Sequence, residues 1–217
     1  MTHPRPDPAR FLVGKGPRDP ADPALRHLTD RLLLRPWLRR DRTPFAAMNS
    51  DPRVMEHFPA PLSRQESDAL IERMQRRLLQ DGYGLWALEL RSSGDLIGFT
   101  GLNSPSWSAP FTPCVEVGWR LTPAAWGAGH ATEAARAALE VGFGEVGLDE
   151  IVSFTVPANT RSRAVMARLG LTHDEADDFE HPALPVGHPM RHHVLYRLRR
   201  EDWVRSRRSE GPQSSSR

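Results

Sequence analysis

The sequence predicts an α/β (α+β) fold, a mixed and mostly antiparallel sheet flanked by helices, and three observations carry that prediction. Helical patterning dominates from residue 38 to about 80. Two extended runs joined by a short glycine-bearing turn follow, which marks antiparallel pairing. Strand-like and helix-like segments then alternate to the end of the chain, an order that suits a sheet covered by helices rather than a bundle or a sandwich.

Each element has its own warrant. RLLLRPW (31–37) reads as a first strand, and LRRDRTPFAAMNS (38–50) and DPRVMEHF (51–58) as short helices. Ser63 with Glu66 forms a capping-box pattern, and Leu70, Ile71, Met74 and Leu78 then lay one apolar stripe along a helix. LWALEL (85–90) and LIGFTGL (96–102), joined by RSSGD, form a strand pair. CVEVGWRL (114–121) is a further strand, followed by a loop and a helix that places Ala134, Ala135, Ala138 and Leu139 for close packing. EIVSFTV (150–156) is β-branched and aromatic, NTRSRAVMARLG (159–170) is a helix ending at Gly170, and HHVLYRL (192–198) is a late strand. Residues 1–28, dense in Pro, Asp and Arg, read as a flexible N-terminal arm, 29–204 as one domain, and 205–217 as a disordered tail.

Composition narrows the function classes. The chain has 217 residues, 39% of them hydrophobic, enough for one sizeable core. Lys15 is its only lysine, and with formal net charge +2 the high pI reflects arginine, a weak argument for nucleic acid. The single Cys114 excludes an internal disulfide framework and a thiolate zinc cluster. With no apolar run after the N-terminal charges and none near the ~20 residues of a membrane span, a reducing cytoplasm is expected.

The stretch TPAAWGAGHATEAARAALEVGF (122–143) carries the functional signal. A strand stops at Leu121, Pro123 turns the chain, and Gly127-Ala128-Gly129 precedes a helix. Helix N-termini present unpaired N–H groups and partial positive charge, and glycine lets an anion approach the backbone, so a phosphate-bearing ligand suits the loop. The two glycines are also read as simple turn residues. A Walker loop needs a lysine here, and a dinucleotide fingerprint needs a third glycine where Thr132 stands.

WGAGHATEA resembles the acyl-CoA pyrophosphate loop of the GNAT superfamily of N-acetyltransferases, within it the RimJ/RimL branch, with Trp126 at the Q/R place of Q/R-x-x-G-x-G/A, Gly129 the glycine and Ala131 the final small residue. NTRSRAVMARLGL (159–171) resembles the family's Asn-led helix along the pantetheine arm, and VEVGWRL (115–121) the strand whose splayed end pairs with the pantetheine amides. The resemblance spans residues 30–200. It implies a splayed sheet, acetyl-CoA as cosubstrate, an amine acceptor (a peptide N-terminus or a small molecule) and direct attack in a ternary complex. It implies cofactor contacts at Trp119, Arg120, Leu121, Trp126, Gly127, Ala128, Gly129, His130, Ala131, Thr132, Asn159 and Ser162. Asn159 is equally a plain N-cap.

Acetyl transfer needs an acceptor for the amine proton, stabilisation of an oxyanion and a proton for the thiolate. Glu116, in an otherwise apolar strand, is the candidate base, its pKa raised by desolvation; a structural carboxylate is the alternative. Backbone N–H groups near Trp119 and Arg120 are candidates for the oxyanion hole. Many family members place a tyrosine acid where Met166 stands, leaving the Ser162 hydroxyl as thiolate donor beside its capping and CoA-contact roles. Cys114 reads as core. Arg161, Arg163 and Arg168 are left outside the assignment.

FEHPALPVGHPMRHHVLY (179–196) holds four histidines, but His192 and His193 would face opposite sides of a strand, so no metal site is expected. The segment instead reads as lining the acceptor pocket, with Asp177, Asp178 and Glu180 in an acidic rim, HDEADDFE (173–180), that attracts or deprotonates a cationic amine. The rival reading is a catalytically weak acyl-CoA-binding regulatory module. No nucleic-acid or membrane partner is expected, and a homodimer is left open.

Overall fold

The computed structural model describes residues 17–209. Strands β1 (His27–Leu28), β2 (Leu32–Arg35), β3 (Leu85–Leu90) and β4 (Leu96–Asn103) form an antiparallel meander, which β5 (Glu116–Leu121) extends. The chain then crosses over through helix α3 (His130–Glu140) to β6 (Glu150–Thr155), which lies parallel to β5. Three further strands complete a nine-stranded sheet: β9 (His192–Arg199) pairs with β6, and β7 (Thr172–His173) and β8 (Phe179–Glu180) with β9. Helices α1 (Arg42–Ser50), α2 (Arg64–Asp81), α4 (Thr160–Arg168) and α5 (Arg200–Ser209) complete the flanks. The expected fold class holds.

Both faces of the sheet are packed. On one, Ala134, Ala135, Ala138 and Leu139 of α3, all 0% exposed, sit against Leu32, Leu34, Trp86, Leu88 and Val117. On the other, Phe45 and Met48 of α1 and Ile71 and Met74 of α2 meet Ala87 and Phe99. The small residues let α3 lie close to the sheet. At the far end Trp107, Phe111, Phe154 and Phe179 form an aromatic cluster around Val152 and Leu195.

The capping box at Ser63 forms as read: Glu66 N–H donates to Ser63 Oγ at 3.2 Å, and Ser63 N–H donates to Glu66 Oε2 at 2.8 Å. Residues 51–58 are not a helix but a chain of turns. Asp51 turns the backbone onto itself, its carbonyl accepting from Val54 and Met55 and its carboxylate from Arg53 N–H, and Phe58 precedes a proline that disfavours helical geometry.

Parts of both expected tails are ordered. Residues 1–16 lie outside the described residues, but 17–28 are docked: Arg18 N–H donates to Leu79 O at 2.8 Å and Leu25 is fully buried. At the other end α5 runs through residue 204 to Ser209, with Trp203 buried against Phe143, and 210–217 lie outside the described residues. Among the described residues no helix is long and apolar enough to cross a membrane.

Candidate active site

The site begins where β5 and β6 part. Their pairing consists of the single register Glu116↔Val152, with Val152 N–H donating to Val115 O and Ser153 Oγ–H to Val117 O at 2.9 Å. Beyond that point the strands diverge. Hydrogen-bonding direction alternates along a strand. The carbonyls of Val115 and Val117 face β6, whereas the Gly118 carbonyl faces β4 and accepts from Thr100 Oγ1. The Trp119 N–H therefore faces the opening, and the Arg120 N–H faces β4, in the regular Phe99↔Arg120 register. Of the two expected oxyanion-hole amides, only Trp119 points the right way.

A cavity of about 1310 Å³ occupies the opening and runs on to the glycine loop, α4 and the 179–196 segment. Gly127 and Gly129 adopt φ of +75° and +81°, so the turn needs glycine for its backbone hand; a Cβ on Gly127 would meet no protein atom. Gly129 is the N-cap of α3, and among the described residues no side chain caps its first turn. Arg31 fixes the loop from behind, donating to Ala128 O at 2.8 Å and pairing with Glu133 of α3. Trp126 ties the loop to the strand end, donating from Nε1 to Leu121 O at 2.9 Å, and the Arg161 guanidinium stacks 4.3 Å from its ring centre.

Asn159 caps α4 as read, accepting from Ser162 N–H at 3.1 Å and donating to Thr155 Oγ1 at 3.0 Å. Ser162 lines the cavity, its hydroxyl making no hydrogen bond among the described residues. Glu116 sits on the cavity floor, where burial raises its pKa to about 7 against one long hydrogen bond from Asn103 Nδ2 at 3.4 Å. Met166 is 1% exposed in the core and contributes nothing to the cavity. Burial, reinforced by the Glu116 charge, pushes the Cys114 thiol up to about 12, which leaves it inert as a nucleophile.

The residues match the fold. A family model described as an acetyltransferase (GNAT) domain covers residues 31–172. The chain belongs to the GNAT acetyltransferase family. Among the relatives of this GNAT chain, the FsC-acetyl coenzyme A-N(2)-transacetylase of Aspergillus fumigatus is 32% identical, over 85% of this chain and 80% of the relative. An acetyltransferase structure from Agrobacterium tumefaciens is 28% identical with a TM-score of 0.64, covering 80% of this chain and 93% of that one. A GNAT-family structure from Bacillus anthracis, 24% identical with a TM-score of 0.67, covers 81% and 99% and shares the fold.

Of the residues that the sequence assigned to this GNAT site, Ala128 alone stays out of the cavity, its carbonyl turned to Arg31. The histidine segment lines it only in part. His181 and His193 reach it, burial lowering the pKa of each, while His192 points to solvent and Glu180, as strand alternation requires. The acidic rim does not line it. Asp177 is bound to Arg197 at 2.7 Å, Asp178 to His173 at 2.8 Å and Glu180 to Arg191 at 3.1 Å, so this run fastens the sheet edge instead of meeting an amine.

Sequence reasoning missed Asn103, Arg31 and Glu133. Asn103 reaches Glu116 through the cross-strand register, and the Arg31–Glu133 pair joins positions 102 apart. No local pattern in the chain announces either contact.

Proposed function

We propose that this chain is an acetyl-CoA-dependent N-acetyltransferase of RimJ/RimL type, acting on a primary amine by direct attack in a ternary complex. The observation that carries this reading is one cavity in which a bare helix N-terminus, a strand opening and a carboxylate with pKa near 7 converge. The relative whose name contains acetyl coenzyme A and N(2) supports the donor and a nitrogen acceptor.

The loop fits a diphosphate: the first-turn amides of α3 have no side-chain cap, and a Cβ at Gly127 would project into open space. Bound there, the donor supplies an acetyl thioester. The protein's own groups do the rest. Glu116, ionised above about pH 7, accepts the proton that the amine loses as its nitrogen bonds to the carbonyl carbon. Trp119 N–H donates to the oxygen where negative charge develops. As the carbon–sulfur bond breaks, Ser162 Oγ–H donates a hydrogen bond to the departing sulfur, which takes its proton from solvent in the open cavity, so the serine stays a neutral hydroxyl.

The alternative of a catalytically weak acyl-CoA-binding module draws its support from Met166, an apolar core residue at the position where many family members carry a tyrosine acid. Calorimetry with acetyl-CoA and a thiol-release assay over a panel of amines and N-terminal peptides separate the two. Binding with turnover of at least one amine is expected. Binding with no acetylation of any acceptor favours the module.

A further inference from the structure

Among the described residues the Arg120 side chain is a cation without a counter-ion. Its guanidinium donates from Nη1 to the neutral Asn49 Oδ1 at 2.7 Å and lies 4.0 Å above the Phe58 ring and 5.5 Å from that of Phe99. No carboxylate pairs with it among the described residues, and burial alone lowers its pKa to about 10, so it stays charged at neutral pH. Nε is sealed in the protein with no partner. Nη2 has no partner either but is not sealed, and Arg120 lines the cavity. Burying a cation without a counter-ion is unfavourable, and a bound anion relieves it.

Its position says which anion. Arg120 and Glu116 stand four residues apart on one face of β5, their Cα atoms ~13 Å apart, with Gly118 between them adding no side chain. This face meets the α1–α2 side of the sheet, opposite the face that packs against α3. Glu116 is the only carboxylate among the cavity's described lining residues; of the four arginines there, Arg53 pairs with Asp51 and Arg161 with Glu56, so Arg120 and Arg168 carry the uncompensated charge. A single open guanidinium edge between two phenyl rings suits a planar monoanion.

We infer that Arg120 anchors a carboxylate of the acceptor, so that the amine presented to Glu116 belongs to an amino-acid-like molecule rather than to a simple cationic amine. The reaction itself rests on the transferase reading above; the anchor is tested separately by binding. The probes are the N-acetyl derivatives of leucine, methionine and phenylalanine, each as free acid and as neutral amide, and N-acetyl-Ala-Asp-amide, titrated by calorimetry with and without CoA. At least one free acid should bind tenfold or more tighter than its amide. Arg120→Gln should bring each pair within about twofold, and Arg120→Lys should keep part of the preference, with the far-UV circular dichroism of both variants matching wild type. Preferential binding of N-acetyl-Ala-Asp-amide, lost in Arg120→Gln, also supports the anchor and assigns the carboxylate to an acidic chain. Equal affinity for acids and amides, no binding of any probe, or a preference that survives Arg120→Gln overturns it. Failure of CoA to bind would instead sink the transferase reading, while the acid–amide comparison could still be read.

Discussion

Glu116 illustrates how a single residue changes meaning with its surroundings. On an exposed strand it would be an ordinary carboxylate; here burial holds its proton to about pH 7. Turnover should therefore rise with pH through that value, and Glu116→Gln should lower kcat at pH 8 by roughly a hundredfold, consistent with loss of a general base, and abolish that rise. A pH–rate profile checks this. The same burial has a cost in stability. Between the ordinary glutamate pKa and about 7 the folded state holds the proton that the unfolded chain has lost, so stability falls as pH rises through this window. Glu116→Gln should be more stable than wild type at pH 8, by on the order of 2 kcal/mol, and equal to it near pH 4, as urea midpoints at the two pH values would show. Ser162 is a cleaner test. Its N–H, not its hydroxyl, meets Asn159, so Ser162→Ala keeps the cap and removes only the hydroxyl that hydrogen-bonds the departing sulfur. kcat should fall roughly tenfold or more in stopped-flow thiol release with little change in acetyl-CoA affinity.

The glycine loop belongs to the scale of elements, because its function is a property of the turn between β5 and α3. Gly129 at φ +81° needs the left-handed conformation, and a Cβ there would come no nearer to protein than 3.5 Å, at Arg31 Nη2. Valine should thus cost about 1–2 kcal/mol in backbone strain, leaving a folded chain. The larger effect should be on the ligand, since the backbone that offers amides to the diphosphate would be displaced. Gly129→Val should bind acetyl-CoA at least a hundredfold more weakly by calorimetry while its thermal transition falls only modestly. A variant that binds normally would remove the loop from the donor site. This loop and the Asn159 cap were legible in the chain because helix N-termini announce themselves in local residue order. The turns at 51–58 were not: the stretch reads as a short helix, and side-chain competition from Asp51 won.

At the scale of the molecule, the sheet, its helices and the cavity depend on groups far apart in sequence. Arg35, 2% exposed, donates two hydrogen bonds to Asp41 at 2.7 and 2.8 Å and one to Glu89 at 2.7 Å, tying β2 to the start of α1 and to β3. Asp41→Asn would leave that guanidinium short of charge in the core. It should cost about 3 kcal/mol, read from the urea midpoint, with acetyl-CoA affinity unchanged because the triad lies away from the cavity.

The sequence by itself determined the order of elements, the glycine turn that leads into α3 and the strand carrying Glu116, because each depends on neighbours within a few residues. Only the tertiary structure decided that Trp119 rather than Arg120 turns its amide into the opening, that Asp177, Asp178 and Glu180 of the acidic run engage Arg197, His173 and Arg191, and that the Arg120 side chain stands beside Phe58 with no counter-ion among the described residues. Those outcomes depend on strand register and on contacts between residues tens of positions apart, and one-dimensional patterning carries no record of either.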